Sequence, residues 1–151
     1  MLSRRNTLAL LIAAPAATAL APRAFAATPE IYAETGIAID GSDAVAYFDG
    51  NGPVAGSSNF AFDWKGARWL FTSAENRDAF AADPEAFAPQ YGGYCAWAAA
   101  QGYIAATHPN AWTLHEGKLY LNANRRIRGR FEQDVPGFIA QANANWPAIL
   151  A

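Results

Sequence analysis

The spacing of apolar residues along this chain changes period several times. From Phe60, large apolar residues alternate with small or polar ones through Phe62 and Trp64. Lys65-Gly66 breaks the run, and Arg68 to Phe71 carries it back. Alternation on both sides of a tight turn predicts an antiparallel hairpin over residues 60–71 with one aromatic face. Thr72-Ser73-Ala74-Glu75 has capping-box spacing, so a helix follows through Ala82 and packs on that face. Asp83-Pro84 opens a second short helix that ends before Pro89.

Tyr94 to Ala100 reads as a short apolar helix closed by Gly102. Trp112 and Leu114 lead to Glu116-Gly117, and Leu119 and Leu121 lead away, which predicts a second hairpin. From Asn124 the period is helical, with Ile127, Phe131 and Val135 on one face. Asp134-Val135-Pro136 restarts the helix, and Phe138, Ala142 and Trp146 follow four apart. Residues 27–59, punctuated by Gly36, Gly41, Gly50, Gly52, Pro53 and Gly56, read as loops. Two hairpins and several short helices in mixed order predict a small α+β domain, with the C-terminal helices packed on its core. No repeat or linker divides residues 27–151, so they form one domain.

The N-terminus has a different pattern. Ser3-Arg4-Arg5 precedes an apolar, alanine-rich stretch from Leu8 to Ala21, broken by Pro15. Ala24-Phe25-Ala26 then supplies a small-residue cleavage signal, so residues 1–26 read as an export peptide cut after Ala26. The stretch is too short for a membrane span. The arginine pair, with Arg23 near the cut, points to twin-arginine export, although Thr7 stands where that signal has an aromatic residue. The expected location is a bacterial periplasm or the exterior.

Removing the peptide takes away three arginines and no acids, so the formal net charge of -2 becomes -5. An acidic domain does not suggest nucleic acid as a partner. Nine phenylalanines and five tryptophans supply large buried area for one core. The single cysteine, Cys95, has no intramolecular disulfide partner. It stays a thiol, binds something, or pairs with another molecule.

Several chemistries drop out. The only methionine is Met1, so the exported chain has no axial methionine for a blue-copper site. There is no C-x-x-C-H for haem c, no second cysteine for a redox pair or a two-cysteine zinc site, no G-x-S-x-G and no nucleotide-binding glycine motif. What remains is Cys95, His108 and His115. Strand alternation puts His115 opposite Trp112 and Leu114, in solvent. His108, in Thr107-His108-Pro109-Asn110, reads first as a local hydrogen-bonding group and second as a ligand. Arg125, Arg126, Arg128 and Arg130 read as a solvated helix face that could hold an anion or an acidic partner.

Cys95 divides the reading. An apolar surround suits a buried, inert thiol. Against this, Gly92-Gly93 permits close backbone approach, and the first turn of a helix lowers a thiol pKa. Tyr91, Tyr94 and Trp97 are then candidate walls of a pocket around the sulfur.

Phe71-Thr72-Ser73-Ala74-Glu75-Asn76, followed by Phe80, Asp83-Pro84 and Phe87, resembles the YHS domain, whose pattern runs F-C-S-x-x-C-x-x-x-F-x-x-D-P-x-x-Y. Lys65-Gly66 and Asp43-Ala44-Val45-Ala46 fit the same pattern. The wider likeness is to exported single-domain YHS (seleno)proteins. It covers roughly residues 36–150 and includes YGGYCA, GKLYLN and the final NWP. The module's metal-binding cysteines fall at Ala46, Thr72 and Asn76, so the resemblance does not carry the usual metal site over; it implies that these three positions cluster as a relic of that site and hold no metal. It does imply chemistry at Cys95, since selenocysteine occupies a cysteine position in some members of that branch. Three functions follow as expectations. The first is soft-metal, copper-type binding by Cys95 with His108 or His115, served by a metal-delivery partner protein. The second is thiol redox at Cys95 with a redox partner. The third is a structural or interaction domain with an inert thiol.

Overall fold

The computed structural model describes residues 16–22 and 26–151. Most of the predicted export peptide, including Ser3-Arg4-Arg5 and Ala24-Phe25, lies outside them. Among the described residues no helix is long and apolar enough to cross a membrane.

The domain is α+β. Strand β1, Ser57–Trp64, pairs antiparallel with β2, Ala67–Phe71. Phe62 lies opposite Trp69 and Asp63 opposite Arg68, with a bulge between Ser57 and Ala61. Lys65 and Gly66 both have positive φ, 48° and 77°, the signature of a two-residue turn that matches strand twist. Helix α1, Ala74–Ala82, lies on this hairpin as expected. Phe80 of α1 is fully buried. Its ring centroid is 6.1 Å from Phe62, 5.8 Å from Trp64, 4.8 Å from Trp69 and 5.1 Å from Phe71.

The cap of α1 falls one residue later than the sequence pattern suggests. Ser73, rather than Thr72, accepts the Asn76 amide at 3.1 Å. Thr72 is diverted to a tertiary partner described below. Helix α2, Pro84–Phe87, follows at once with proline in its first turn.

Helix α3, Ala96–Gln101, starts later than the expected Tyr94, so Cys95 is its N-cap and not a residue of its first turn. Gly102 closes it in left-handed backbone, φ 93°. Strands β3, Trp112–His115, and β4, Lys118–Leu121, form the second hairpin about Glu116-Gly117. Helix α4, Arg125–Phe131, is capped by Asn124, and α5, Val135–Asn145, by Asp134. Trp146 lies just past α5 and begins a cis peptide to Pro147.

The second hairpin separates two apolar clusters. Leu119 and Leu121 join the cluster of Tyr47, Trp69, Phe71 and Phe80. Tyr120, between them, faces the other side and joins Tyr91, Ala96, Ala99, Phe131 and Ala142. Strand alternation thus assigns one face to the first hairpin and the other to α3, α4 and α5. Cys95 and the residue after β4, Asn122, are both buried where β4 meets the start of α3.

Candidate functional site

Cys95 sits behind a forced close approach. A β-carbon at Gly92 would stand 1.7 Å from the Glu30 carbonyl oxygen, so only glycine fits there. The gap lets the Tyr32 amide donate to the Gly92 carbonyl at 2.9 Å. Tyr91 and Gly93 flank it, also with positive φ. Thr107 Oγ1 donates to the Gly93 carbonyl at 2.6 Å, and the Cys95 amide to the Ala105 carbonyl at 3.0 Å. The thiol is therefore delivered by a rigid loop pinned from both sides.

That thiol is 1% exposed. Its Sγ lies 3.4 Å from Asn122 Oδ1. The same oxygen accepts the Trp97 amide at 3.0 Å. Asn122 thus supplies the cap that the Cys95 side chain does not give to α3. The Trp97 donor requires an acceptor opposite it, which fixes the carboxamide with oxygen toward the helix. The thiol consequently donates to an oxygen. Asn122 Nδ2 is buried with no hydrogen-bond partner among the described residues.

Burial pushes the Cys95 thiol above its ordinary range. Backbone amides of Ala98, Ala123 and Trp97 pull the other way but do not outweigh burial. A short helix does offer positive partial charge, yet here desolvation wins.

The three rings expected around the sulfur engage different neighbours. Tyr91 donates to Asn143 Oδ1 at 2.9 Å and lines a cavity of about 140 Å³ with Lys65, Glu30, Glu85 and Trp146, of which Cys95 is not part. Burial raises the Tyr91 phenol well above its usual range. Tyr94 donates to the Pro29 carbonyl at 2.8 Å. Trp97 meets Tyr103 edge-on, with centroids 6.5 Å apart, and lies under the Arg130 guanidinium.

Neither histidine is drawn into a ligand set. His108 is exposed, and its Nδ1 accepts the Asn110 amide at 3.1 Å, the local role read from its loop. His115 is half-buried, not free in solvent, and its Nε2 lies 3.9 Å from Glu116. No three histidine, cysteine or acidic side chains among the described residues are grouped to hold a metal ion.

A second buried polar centre lies where the YHS pattern puts its cysteines. Asp43 is fully buried. Its Oδ1 accepts the amides of Val45 at 2.8 Å and Ala46 at 3.1 Å. Its Oδ2 accepts the Thr72 amide and hydroxyl, both at 2.9 Å, and Asn76 Nδ2 at 2.8 Å. Positions 46, 72 and 76 thus converge from separate segments on one carboxylate. The meeting of positions 46, 72 and 76 was expected from the resemblance, whereas Asp43 as the group at its centre was not singled out. Its only local signal is Asp43 placed just before an Asx-type turn.

Two arginines of α4 lie over tryptophan rings. Trp112 lies under Arg128, 5.1 Å from centroid to guanidinium carbon, as Trp97 does under Arg130 at 5.7 Å. Compared with known proteins, the chain matches no family model, no curated protein and no solved structure.

Proposed function

We propose that the chain is a small exported interaction domain of YHS type, in which Cys95 is a structural thiol rather than a metal ligand or a redox nucleophile. The observation that carries this reading is the pairing of the 1% exposed Cys95 with an Asn122 oxygen already committed to the Trp97 amide. A thiolate at that position would face a carboxamide oxygen 3.4 Å away. Turning the carboxamide over would add a side-chain donor to the backbone amides near the sulfur but would set Nδ2 against the Trp97 amide, and burial outweighs those amides. The site therefore favours the protonated thiol, a weak nucleophile and a weak ligand.

The YHS assignment is supported by the convergence of Ala46, Thr72 and Asn76 on Asp43. Five hydrogen bonds to a buried carboxylate do structural work at that position, tying the 43–46 turn to the start of α1. Export to the periplasm or exterior rests on the N-terminal pattern alone.

A competition titration with Cu(I) and a chromogenic chelator, paired with peroxide exposure, tests the reading. The Cys95→Ala variant is expected to match the parent in both assays. Stoichiometric Cu(I) retention, or rapid thiol loss to peroxide in the folded parent, each abolished by Cys95→Ala, would replace this reading with a metal-handling or redox function.

A further inference from the structure

The charge of the domain is segregated. Residues 27–90 carry ten acids and three bases, a net charge of -7, whereas residues 91–151 carry three acids and five bases, a net of +2. Four of those five bases are arginines of the seven-residue helix α4. Helical geometry fans them out. Phe131 turns inward and is fully buried, and Ile127, four residues before it on the same stripe, is half-buried. Arg128 and Arg130 lie on either side of that inward stripe, over Trp112 and Trp97. Arg125 and Arg126 are exposed on the outer side.

Only one of the four is neutralised. Arg128 pairs with Glu132 at 2.8 Å, whereas Arg125, Arg126 and Arg130 have no ion pair among the described residues. Glu132 is in turn held by Thr113 Oγ1 at 3.0 Å. Stacking on tryptophan restricts the guanidinium planes of Arg128 and Arg130 before any partner arrives, which lowers the entropy lost on contact. Tyr103, 49% exposed and edge-on to Trp97, extends the apolar part of this face. At the start of α4 a groove of about 330 Å³ opens between His108, Ala111, Ala123 and Arg125. Exposed arginines beside half-buried tryptophan and exposed Tyr103, with a small groove at the start of the helix, have the residue types of a binding hot spot.

We propose that the outer face of α4, with Trp97 and Tyr103 beside it and the groove at its start, docks an acidic segment of a partner protein, with an apolar side chain of that segment in the groove. Charge selects the class of partner. Bidentate guanidinium groups suit carboxylates. The helix, about 10 Å long at 1.5 Å per residue, suits a short acidic segment. A long polyanion would extend onto the strongly acidic remainder of the domain. A lipid surface is disfavoured because α4 has only two large apolar residues, Phe131 fully buried and Ile127 half-buried, too little to form a wedge to insert. This inference rests on the interaction-domain reading and adds the partner's chemistry to it.

Fluorescence anisotropy of the full chain with a labelled twelve-residue Glu/Asp-rich peptide bearing a central Leu-Phe pair tests the inference. Saturable binding is expected at 50 mM salt, weakening at least tenfold by 300 mM as screening sets in. Arg126→Glu with Arg130→Glu is expected to weaken binding by about tenfold or more. Arg77→Glu, on α1, leaves it within about twofold of the parent. If the charge-reversed pair does not fold, Arg126→Gln with Arg130→Gln and the parent's salt dependence carry the same test. Three outcomes would overturn the proposal. One is no saturable binding, or binding unchanged in both arginine pairs. Another is binding only to anionic phosphatidylglycerol vesicles. The third is low-salt self-association that accounts for the arginine dependence. A reactive Cys95 would overturn the interaction-domain reading without touching the peptide result, so the two failures are distinguishable.

Discussion

Asn122 Oδ1 stands 3.4 Å from the sulfur of Cys95, and through that oxygen a residue 27 positions away also caps the helix that Cys95 begins. The carboxamide carries more of the joint than the thiol does. Asn122→Ala would leave the half-buried Trp97 amide unpaired and open a cavity, and is expected to cost about 2–4 kcal/mol. Cys95→Ala removes one weak donor and one sulfur atom, and is expected to cost about 1 kcal/mol. Urea unfolding of both variants checks the order. A larger loss for Cys95→Ala than for Asn122→Ala would show that the thiol, not the carboxamide, holds the start of α3.

The Asp43 centre makes a similar claim with more bonds. Asp43→Ala would strand three backbone amides in a buried site and is expected to cost at least about 3 kcal/mol, or roughly 10 °C in Tm. Asp43→Asn keeps the shape but turns an NH2 group toward one set of donors, so it should also destabilise, by about 2 kcal/mol. Asn76→Ala leaves the other four bonds in place and should cost about 1 kcal/mol. Thermal unfolding followed by circular dichroism ranks the three. An Asp43→Asn variant as stable as the parent would mean that the charge on this residue is dispensable.

Much of the fold was legible in the sequence, because it rests on local signals. The Phe62–Trp64 alternation and the two turns at Lys65-Gly66 and Glu116-Gly117 fix both hairpins within a few residues. The setting of Cys95 was not legible, because its partner is Asn122, far along the chain and marked by nothing but its place after a strand. The partners of the tyrosines near Cys95 were not legible for the same reason. Each phenol is claimed by a distant group, Asn143 for Tyr91 and the Pro29 carbonyl for Tyr94. Asp43 likewise gathers Thr72 and Asn76 from 29 and 33 positions away, with no periodicity to announce it. That capture also explains the shifted helix cap: Thr72 serves Asp43, and Ser73 takes the capping place.

Gly92 offers a steric test of how the 90s loop is anchored. Gly92→Ala drives a methyl group into the Glu30 carbonyl and strains a backbone at φ 63°, so residues 30–32 must lift from the loop. A loss of about 3 kcal/mol or more is expected, against about 1 kcal/mol for Gly117→Ala, where positive φ is the only obstacle and nothing lies within 4 Å. Proteolysis near residue 30 should also accelerate in Gly92→Ala alone. Equal losses in the two variants would mean that the close approach adds nothing beyond backbone strain.

Stability should fall on the alkaline side in two stages. Burial raises the Cys95 thiol in the folded state. An unfolded thiol titrates near about 8.5, so above that pH the unfolded chain loses its proton first and is favoured. The contribution is fully present below that value and is lost as pH rises toward the folded one. Buried Tyr47 and Tyr91 are also raised, and they add a steeper loss once pH passes about 10, the ordinary phenol value. Urea midpoints from pH 7.5 to 9.5 should decline in the parent and stay flatter in Cys95→Ala. Parallel declines would assign the first stage to another group.

Whether Cys95 is inert is measured most directly by the pH dependence of its alkylation in the folded chain. Iodoacetamide at pH 8 is expected to react about 100-fold more slowly with the folded chain than with the chain in urea, limited by local opening. No plateau should appear below pH 9. A folded-state rate matching the urea-unfolded one, or a titration midpoint below the ordinary thiol value of about 8.5, would contradict the account and mark Cys95 as a reactive thiolate.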